Sequence, residues 1–600
     1  MVEKLKNSKM ASFCEKVLFP LVLFVYPLIH VCYGVEWNDT GYNYANFVYM
    51  ENIDPMWKFS TYLANVVGNF LTHLPFGDRM LGLNVYTGLT VCVLALAGYY
   101  FFVKKIGIPA WITFVGEVIA VGLCWCPTAL LYNYLTYIFM FAAVVCLYRA
   151  MTTEKNIWFV LAGIILGLNV FVRFSNLAQI AFIVGVWTFA IINKKKFKEI
   201  AAWTGWCVLG FLIGFGGFLL FLCLKYGGGE YISAVVRLFG MSEEASSYSV
   251  MSMVESQVRN YLQNFIWMGY MVPFMLIGFI GFAVLPKHFL KLKKVGYVFC
   301  MALVFYWLRN QNMYNFTYTT IMSVFQWAVC LLSMALIMGV YVIFSKKFTG
   351  QEKLLCGLTI LIALLTPLGS NNHLNASINN LFFGAPVILW MLWKLIPKIP
   401  ASKVFEVKGK KFYLFSYPFK ALVAMIVVML IIQSLLFGST FVFVESDGGK
   451  NLHTKVENSD ILKGMYTDEY HSRNLEEITQ YVRENDLKGK EVILYGYIPS
   501  VSYYLEMPFA ISAWPDLSSY NYSVMCEDMK GVRDRIQAGE EAPVIILAVE
   551  YGSYLMGETV TEEERIKNDK KFALVAEFAE DFEYELKFAN EKFMLFESAN

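Results

Sequence analysis

The chain has 600 residues, of which 57% are hydrophobic, 17% aromatic and only 16% charged. That balance excludes a soluble globular enzyme and a disordered chain, and describes a polytopic membrane protein. A net charge of +2, with the basic residues in short clusters between apolar runs, gives no reason to expect a nucleic-acid partner.

The first apolar run, 17–35, follows Lys4, Lys6, Lys9 and Lys16 as a signal peptide would. It is long and has no clear small-residue cleavage site, so it reads as an uncleaved anchor. The loop 36–79 emerges from it and opens with Glu36-Trp37-Asn38-Asp39-Thr40-Gly41-Tyr42. This puts the Asp39 carboxylate at the mouth of a transmembrane helix, with a turn expected at Thr40-Gly41. Tyr42, Tyr44, Phe47 and Tyr49 are aromatic anchors suited to headgroup depth. The stretch 61–74 mixes Asn65, Asn69, Thr72 and His73 with apolar residues, which suits a helix lying in the interface.

Apolar runs follow at 80–103, 109–128, 129–148, 157–172, 175–193 and 200–224. After a second long loop, 225–263, they resume at 264–285, 295–309, 319–344, 353–370, 380–397 and 419–441. Basic clusters lie at Lys104-Lys105, Arg149 with Lys155, 194–198, 287–294, Lys346-Lys347 and 394–411. With a cytoplasmic N-terminus and no crossing at 61–74, all of these clusters face the cytoplasm. A crossing there would put Lys104-Lys105 and 194–198 outside. The pattern predicts about thirteen spans, with loops 36–79 and 225–263 and the C-terminus exoplasmic.

From residue 445 the composition becomes that of a soluble domain. An amphipathic helix is expected at 474–485, buried strands at 492–495 and 544–549, and edge or hairpin strands at 572–578 and 582–588. The fold class is therefore a polytopic α-helical membrane protein (1–444) with a C-terminal exoplasmic α/β domain (445–600). No nucleotide fingerprint is present in the tail. Nearly all of the 12 cysteines lie in apolar runs, Cys526 stands alone in the tail, and Cys124 and Cys126 lack a second pair for zinc.

An ionisable group at the bilayer centre costs about 2.5–3.5 kcal/mol on insertion scales, so rim and intramembrane polar residues are the informative ones. Asp39 can accept a proton from an acceptor hydroxyl as a general base, and a merely solvated loop acid fits its spacing equally well. Arg173, in the turn Val172-Arg173-Phe174-Ser175-Asn176, can grip a phosphate with its planar fork or snorkel to lipid headgroups. Arg79 and Arg309 are further rim cations that either hold a phosphate or anchor a helix. Tyr42, Tyr132-Asn133-Tyr134 and Asn371-Asn372-His373 offer hydrogen bonds to a sugar, although polar turns are expected there anyway. Glu117, inside 109–128, reads as a structural acid, protonated or hydrogen-bonded, too deep for an interfacial substrate.

This layout resembles the GT-C superfamily of integral-membrane glycosyltransferases, which includes protein O-mannosyltransferases and the aminoarabinose transferase of lipid A. Asp39-Thr40-Gly41-Tyr42 is similar to the acidic start of that family's first external loop, and Phe76-Gly77-Asp78-Arg79 to its end. The stretch Leu161-Ala162-Gly163-Ile164-Ile165-Leu166-Gly167-Leu168, running on to Arg173, resembles the family's Gly-rich helix with a basic residue after it. In the tail, Tyr466-Thr467-Asp468-Glu469 and Leu494-Tyr495-Gly496-Tyr497-Ile498-Pro499 look like the soluble domains of bacterial members. The resemblance covers the layout of the whole chain and only short motifs within it.

It implies transfer of a hexosyl or pentosyl group from a polyprenyl-phosphate donor to an exoplasmic envelope acceptor, whether glycan, lipid or protein. Membrane lipids are the remaining partners, and no sugar nucleotide is used. Many members carry a second acid in the loop after the third span, where this chain has Tyr132-Asn133-Tyr134. One carboxylate is a poor ligand set for a hard divalent cation, so no metal or other cofactor is expected. A lipid phosphate leaves as a stable anion, so Asp39 as base and Arg173 as phosphate ligand form a sufficient minimum and point to inversion. A retaining double displacement needs a second carboxyl nearby, for which Glu36 is the nearest candidate in sequence. Two other classes fit the layout: a flippase or transporter for lipid-linked sugars, and an inactive relative serving as an envelope scaffold.

Overall fold

The computed structural model describes residues 9–124, 131–244, 249–284, 289–368, 372–407, 410–443 and 451–599. Cys126, Lys287 and Asn371 of the sequence reading lie outside the described residues. Helices dominate. Among the described residues, eight stretches are long and apolar enough to cross a membrane: Lys9–Leu28, Met80–Ile106, Leu131–Thr153, Phe174–Ile192, Phe197–Tyr226, Met251–Ala283, Phe325–Phe344 and Tyr417–Thr440. The shorter apolar helices Ala110–Leu123 and Asn156–Val172 pack among them. The chain is thus a helical membrane protein with a small mixed sheet region toward its C-terminus.

Several boundaries differ from the apolar runs, each for a local reason. The first helical stretch covers Lys9–Leu28 rather than 17–35; Pro27 sits in its closing 3-10 turn. The loop 36–79 is mostly helical, with Asp39–Val48, Pro55–Ser60 and Tyr62–Thr72 in succession. Thr40-Gly41 is therefore helix and not a turn, because the helix already begins at Asp39, where the Glu36 side chain accepts the Asn38 and Thr40 amides. Tyr62–Thr72 has 11 residues. It is about 16 Å long, half the thickness of a hydrocarbon core. The second long loop holds two helices, Gly228–Glu244 and Val250–Gly269.

Helices Asn156–Val172 and Phe197–Tyr226 pack backbone against backbone. A Cβ on Gly163 would lie 2.2 Å from the Cys207 carbonyl oxygen, and one on Gly210 would lie 2.1 Å from that of Val160. Gly167 and Gly214 repeat the arrangement one turn along. Small residues four apart on both helices let the backbones touch, and in lipid such packing replaces the hydrophobic drive. The contact fixes the helix that ends in Arg173.

The hairpin β1 (Ser402–Val407) and β2 (Lys410–Phe415) precedes the last long helix. Beyond it, the short pair β3 (Thr454–Lys455) and β4 (Tyr466–Thr467) lies antiparallel. The tail sheet has order β5-β6-β8-β7, with β5 (Val492–Tyr495) parallel to β6 (Val544–Ala548). β7 (Tyr584–Ala589) and β8 (Phe593–Ser598) complete it antiparallel. Its core is separate from that of the bundle, built on Ile493, Leu494, Ile546 and Leu595 with Ile478 and Val482 from helix Glu469–Glu484. The expected strand at 572–578 is instead helix Lys570–Asp581. Asp569 caps it through the Lys571 and Phe572 amides, and Phe572, Val575, Phe578 and Ala579 fall on one buried helical face.

Candidate active site

The chain that leaves the first helix is held by the tail. Tyr33 bridges Tyr466 of β4, with Tyr466 N–H donating to the Cys32 carbonyl at 2.8 Å and Gly34 N–H to that of Tyr466 at 3.1 Å. Trp37 stacks on His471 at 4.4 Å between ring centroids and meets Phe593 edge-on at 5.1 Å. His471 in turn lies 2.9 Å from Asp468 through Nδ1. The turn after β5 closes the clamp. Ser500 N–H donates to the Trp37 carbonyl at 2.9 Å, Ser500 Oγ to that of Asn38 at 2.7 Å, and Tyr504 Oη to that of Glu36 at 2.6 Å. A Cβ on Gly41 would stand 2.5 Å from Ser500 Cβ, so only glycine admits this contact. The C-terminal ends of parallel strands, where α/β sheets ordinarily hold ligands, here hold the Asp39 segment.

Asp39 is the first residue of helix Asp39–Val48 and is half-buried. Among the described residues its carboxylate has no hydrogen-bond or ion-pair partner. Burial raises its pKa above the ordinary carboxylate range, against the helix N-terminus that favours its charge. Glu36 is 2% exposed, and its two oxygens accept the Asn38 and Thr40 amides. Burial raises its pKa, and the Asp39 charge raises it further, so the proton of the pair rests on Glu36. The site therefore holds two carboxyl groups, Asp39 half-buried and without a partner among the described residues, Glu36 buried and carrying the proton of the pair.

Tyr42 lies one turn along from Asp39, edge-on to Trp514 of the tail at 5.6 Å. It is close enough to Asp39, Asp54 and Tyr132 for their charges to act on its hydroxyl. Tyr132 carries the Arg173 guanidinium over its ring at 5.4 Å, and Arg173 donates to Asn133 Oδ1 at 3.3 Å. Tyr132, Asn133 and Arg173, read separately from the sequence, are thus in contact, and Tyr42 lies within electrostatic range of both Asp39 and Tyr132.

Arg173 has extended backbone between helix Asn156–Val172 and a nine-residue 3-10 helix, Phe174–Phe182. A 3-10 run of that length is unusual. Here it is stitched to its neighbours by a buried network that the sequence reading did not identify. Asn169 Nδ2 donates to Gln179 Oε1 at 2.9 Å, Gln179 Nε2 to Asn176 Oδ1 at 2.9 Å, and Asn176 Nδ2 to Thr136 Oγ1 at 2.8 Å. Amides and a hydroxyl inside apolar runs were its signal, since each must find a partner away from water.

The remaining candidates lie apart. Arg79 is half-exposed, 3.9 Å from its neighbour Asp78. Arg309 is exposed and sits over the Phe316 ring at 5.2 Å. Asn372 and His373 are exposed on a turn, with His373 in the left-handed region at φ 53°. Among the described residues no contact joins Arg79, Arg309 or His373 to the Asp39 site. Glu117 is 0% exposed, its carboxyl in the space left by Gly98 and without a hydrogen-bond partner among the described residues. No group of three His, Cys, Asp or Glu side chains among the described residues is placed to hold a metal.

No family model matches the chain, and no curated protein shows significant similarity to it.

Proposed function

We propose that the protein is a membrane glycosyltransferase of GT-C type, moving a sugar from a polyprenyl-phosphate donor to an exoplasmic envelope acceptor. The observation that carries this reading is the half-buried Asp39 carboxylate, without a partner among the described residues, one helical turn from Tyr42, which lies within electrostatic range of the Tyr132 that carries Arg173. Asp39 takes the proton of the acceptor hydroxyl as its oxygen attacks the anomeric carbon. The bond from that carbon to the lipid phosphate breaks, and Arg173 holds the departing phosphate. One step of this kind inverts the anomeric centre. The topology that goes with it has thirteen spans, with 36–79, 225–263 and the tail together on the exoplasmic side. The tail's grip on the Asp39 segment supports placing both on one side.

The test is turnover in liposomes charged with a polyprenyl-phosphate hexose and envelope glycan fragments, read by mass spectrometry. Wild-type protein is expected to form glycosylated product, and Asp39→Asn to lose it by about 10²–10⁴-fold while remaining folded. Near-normal turnover by the variant sinks the mechanism. A flippase is the second reading, favoured by an apolar groove of ≈ 580 Å³ between helices Val272–Val284 and Leu290–Asn310. Passage of labelled donor lipid across the bilayer without any product would select it.

A further inference from the structure

A second cationic cluster stands away from Arg173, where helix Phe197–Tyr226 ends against the segment 51–62. Lys58 Nζ lies 4.8 Å and Lys225 Nζ 4.7 Å from the centroid of the same ring, Tyr226. Lys225 Nζ is 3.4 Å from Tyr62 Oη, which is itself 3.2 Å from Tyr226 Oη. The rings of Phe218 and Phe171 separate Tyr62 from the helix end that carries Arg173. Two ammonium groups and two phenol hydroxyls therefore converge, and among the described residues the only carboxylate in ion-pair range is Glu51, 2.8 Å from Lys58. Among the described residues Lys225 has no carboxylate within that range.

The charges do not balance. Lys58 is only 8% exposed, and a buried ammonium needs a firm counter-charge. Its partner Glu51 has a side chain 77% exposed, in water where such pairs contribute little. That carboxylate, hydrogen-bonded by Lys58 and attracted by both Lys58 and Lys225, is held below the usual carboxylate range. The surroundings suggest which other anion fits here. Lys225 ends a helix of 30 residues, long enough to cross a bilayer, and Leu220, Phe221 and Leu224 next to it are exposed apolar residues. An anion bound beside this exposed apolar helix end fits a lipid headgroup, whose acyl chains would cover those side chains.

We propose that Lys58, Lys225, Tyr62 and Tyr226 form a binding site for a phosphate ester, presented by a lipid headgroup at the membrane surface. Lys58 and Lys225 supply the charge, Tyr62 donates a hydroxyl hydrogen, and Glu51 closes the site when it is empty. The site does not rest on the transferase reading and survives its failure. As a phosphate site separate from Arg173, it suits an acceptor or a bound lipid that carries its own phosphate.

The full-length protein in phosphatidylcholine nanodiscs containing a minor share of phosphatidic acid provides the test, with retained phosphatidic acid counted by native mass spectrometry. Wild type is expected to retain it, Lys58→Met and Lys225→Met to lose at least about tenfold in affinity, and Glu51→Gln to gain. The gain separates a ligand site from a structural ion pair, whose loss would lower stability and leave lipid retention unchanged. If Lys58→Met does not fold, the opposed effects of Lys225→Met and Glu51→Gln still decide. A second arm adds inorganic phosphate to nanodiscs of phosphatidylcholine alone and follows thermal stability. Stabilisation of wild type but not of Lys225→Met, without phosphatidic acid retention, keeps the phosphate site but assigns it to a soluble ester. Equal behaviour of wild type, Lys225→Met and Glu51→Gln in both arms overturns the proposal.

Discussion

A carboxylate serves as a base when it is ionised at working pH yet no cation holds it so firmly that it refuses a proton. Asp39 meets that description, because burial raises its affinity for a proton and no protein group among the described residues pairs with it. Activity should rise with pH along an acid limb whose midpoint lies above the ordinary Asp value of about 3.9. A pH profile of kcat/KM measures this, and a limb at the ordinary value would mean the base sits in open water. Arg173 makes a different demand. It lies on the Tyr132 ring and reaches Asn133 with one arm, so its planar shape is used as well as its charge. Arg173→Ala should raise the donor KM strongly, and Arg173→Lys should recover only part of the loss. Donor binding measured on the Asp39→Asn background should be unchanged. Unaltered donor affinity in Arg173→Ala would move the phosphate ligand to another cation.

Where elements meet, chemistry and stability pull on the same groups. Arg237, on helix Gly228–Glu244, bridges Asp54 at 3.2 Å and Glu527 of helix Tyr522–Gln537 at 2.9 Å. Asp528 adjoins this pair, accepts the Tyr520 hydroxyl, and has its pKa raised to about 6 by burial, with Asp54 adding to the shift. Its folded pKa exceeds the unfolded value of about 3.9, so its contribution is complete below that value and is lost as pH rises through 6. Asp528→Asn keeps an acceptor for Tyr520 and removes the charge. Thermal melts should therefore show the variant more stable than wild type above pH 6 and equal to it near pH 4. A variant less stable at every pH would show that Arg237, not burial, governs the cluster. Much at this scale was legible in the sequence. Leu475, Ile478 and Val482 announced helix Glu469–Glu484, and uninterrupted apolar runs announced β5 and β6. Within 36–79 the helix Tyr62–Thr72 was legible at 61–74, whereas Asp39–Val48 was not, because the amides at its start are held by the Glu36 side chain and it packs against Ser500 from far along the chain. The run 572–578 was misread as strand because its buried positions suit either period until Asp569 is seen to cap it.

The whole molecule poses a question that neither periodicity nor packing answers, namely which side of the membrane each part faces. Asp39, Tyr132, Asn133 and Arg173 could be named one by one because rim polar residues stand out against apolar runs. Their placement follows from the tail, which pins Trp37, Asn38 and Glu36 through Ser500 and Tyr504, and from the glycine contact that sets helix Asn156–Val172. Contacts made across hundreds of residues leave no local trace. The same contacts constrain topology. The first helical stretch ends at Leu28 and its chain runs directly into β4 and the turn after β5, so the tail and the Asp39 segment share one side. Basic residues at 194–198 lie on the opposite side if the positive-inside pattern governs insertion. A membrane-impermeant maleimide applied to intact cells should then label Ser518→Cys, an exposed tail position, and spare Lys198→Cys, exposed at the start of helix Phe197–Tyr226. Permeabilisation should bring the second to the level of the first, each read above the labelling of the unmodified chain. Equal labelling of both in intact cells would place the 194–198 cluster beside the tail. The thirteen-span arrangement would fall with it, although the Asp39 segment would stay where the tail holds it.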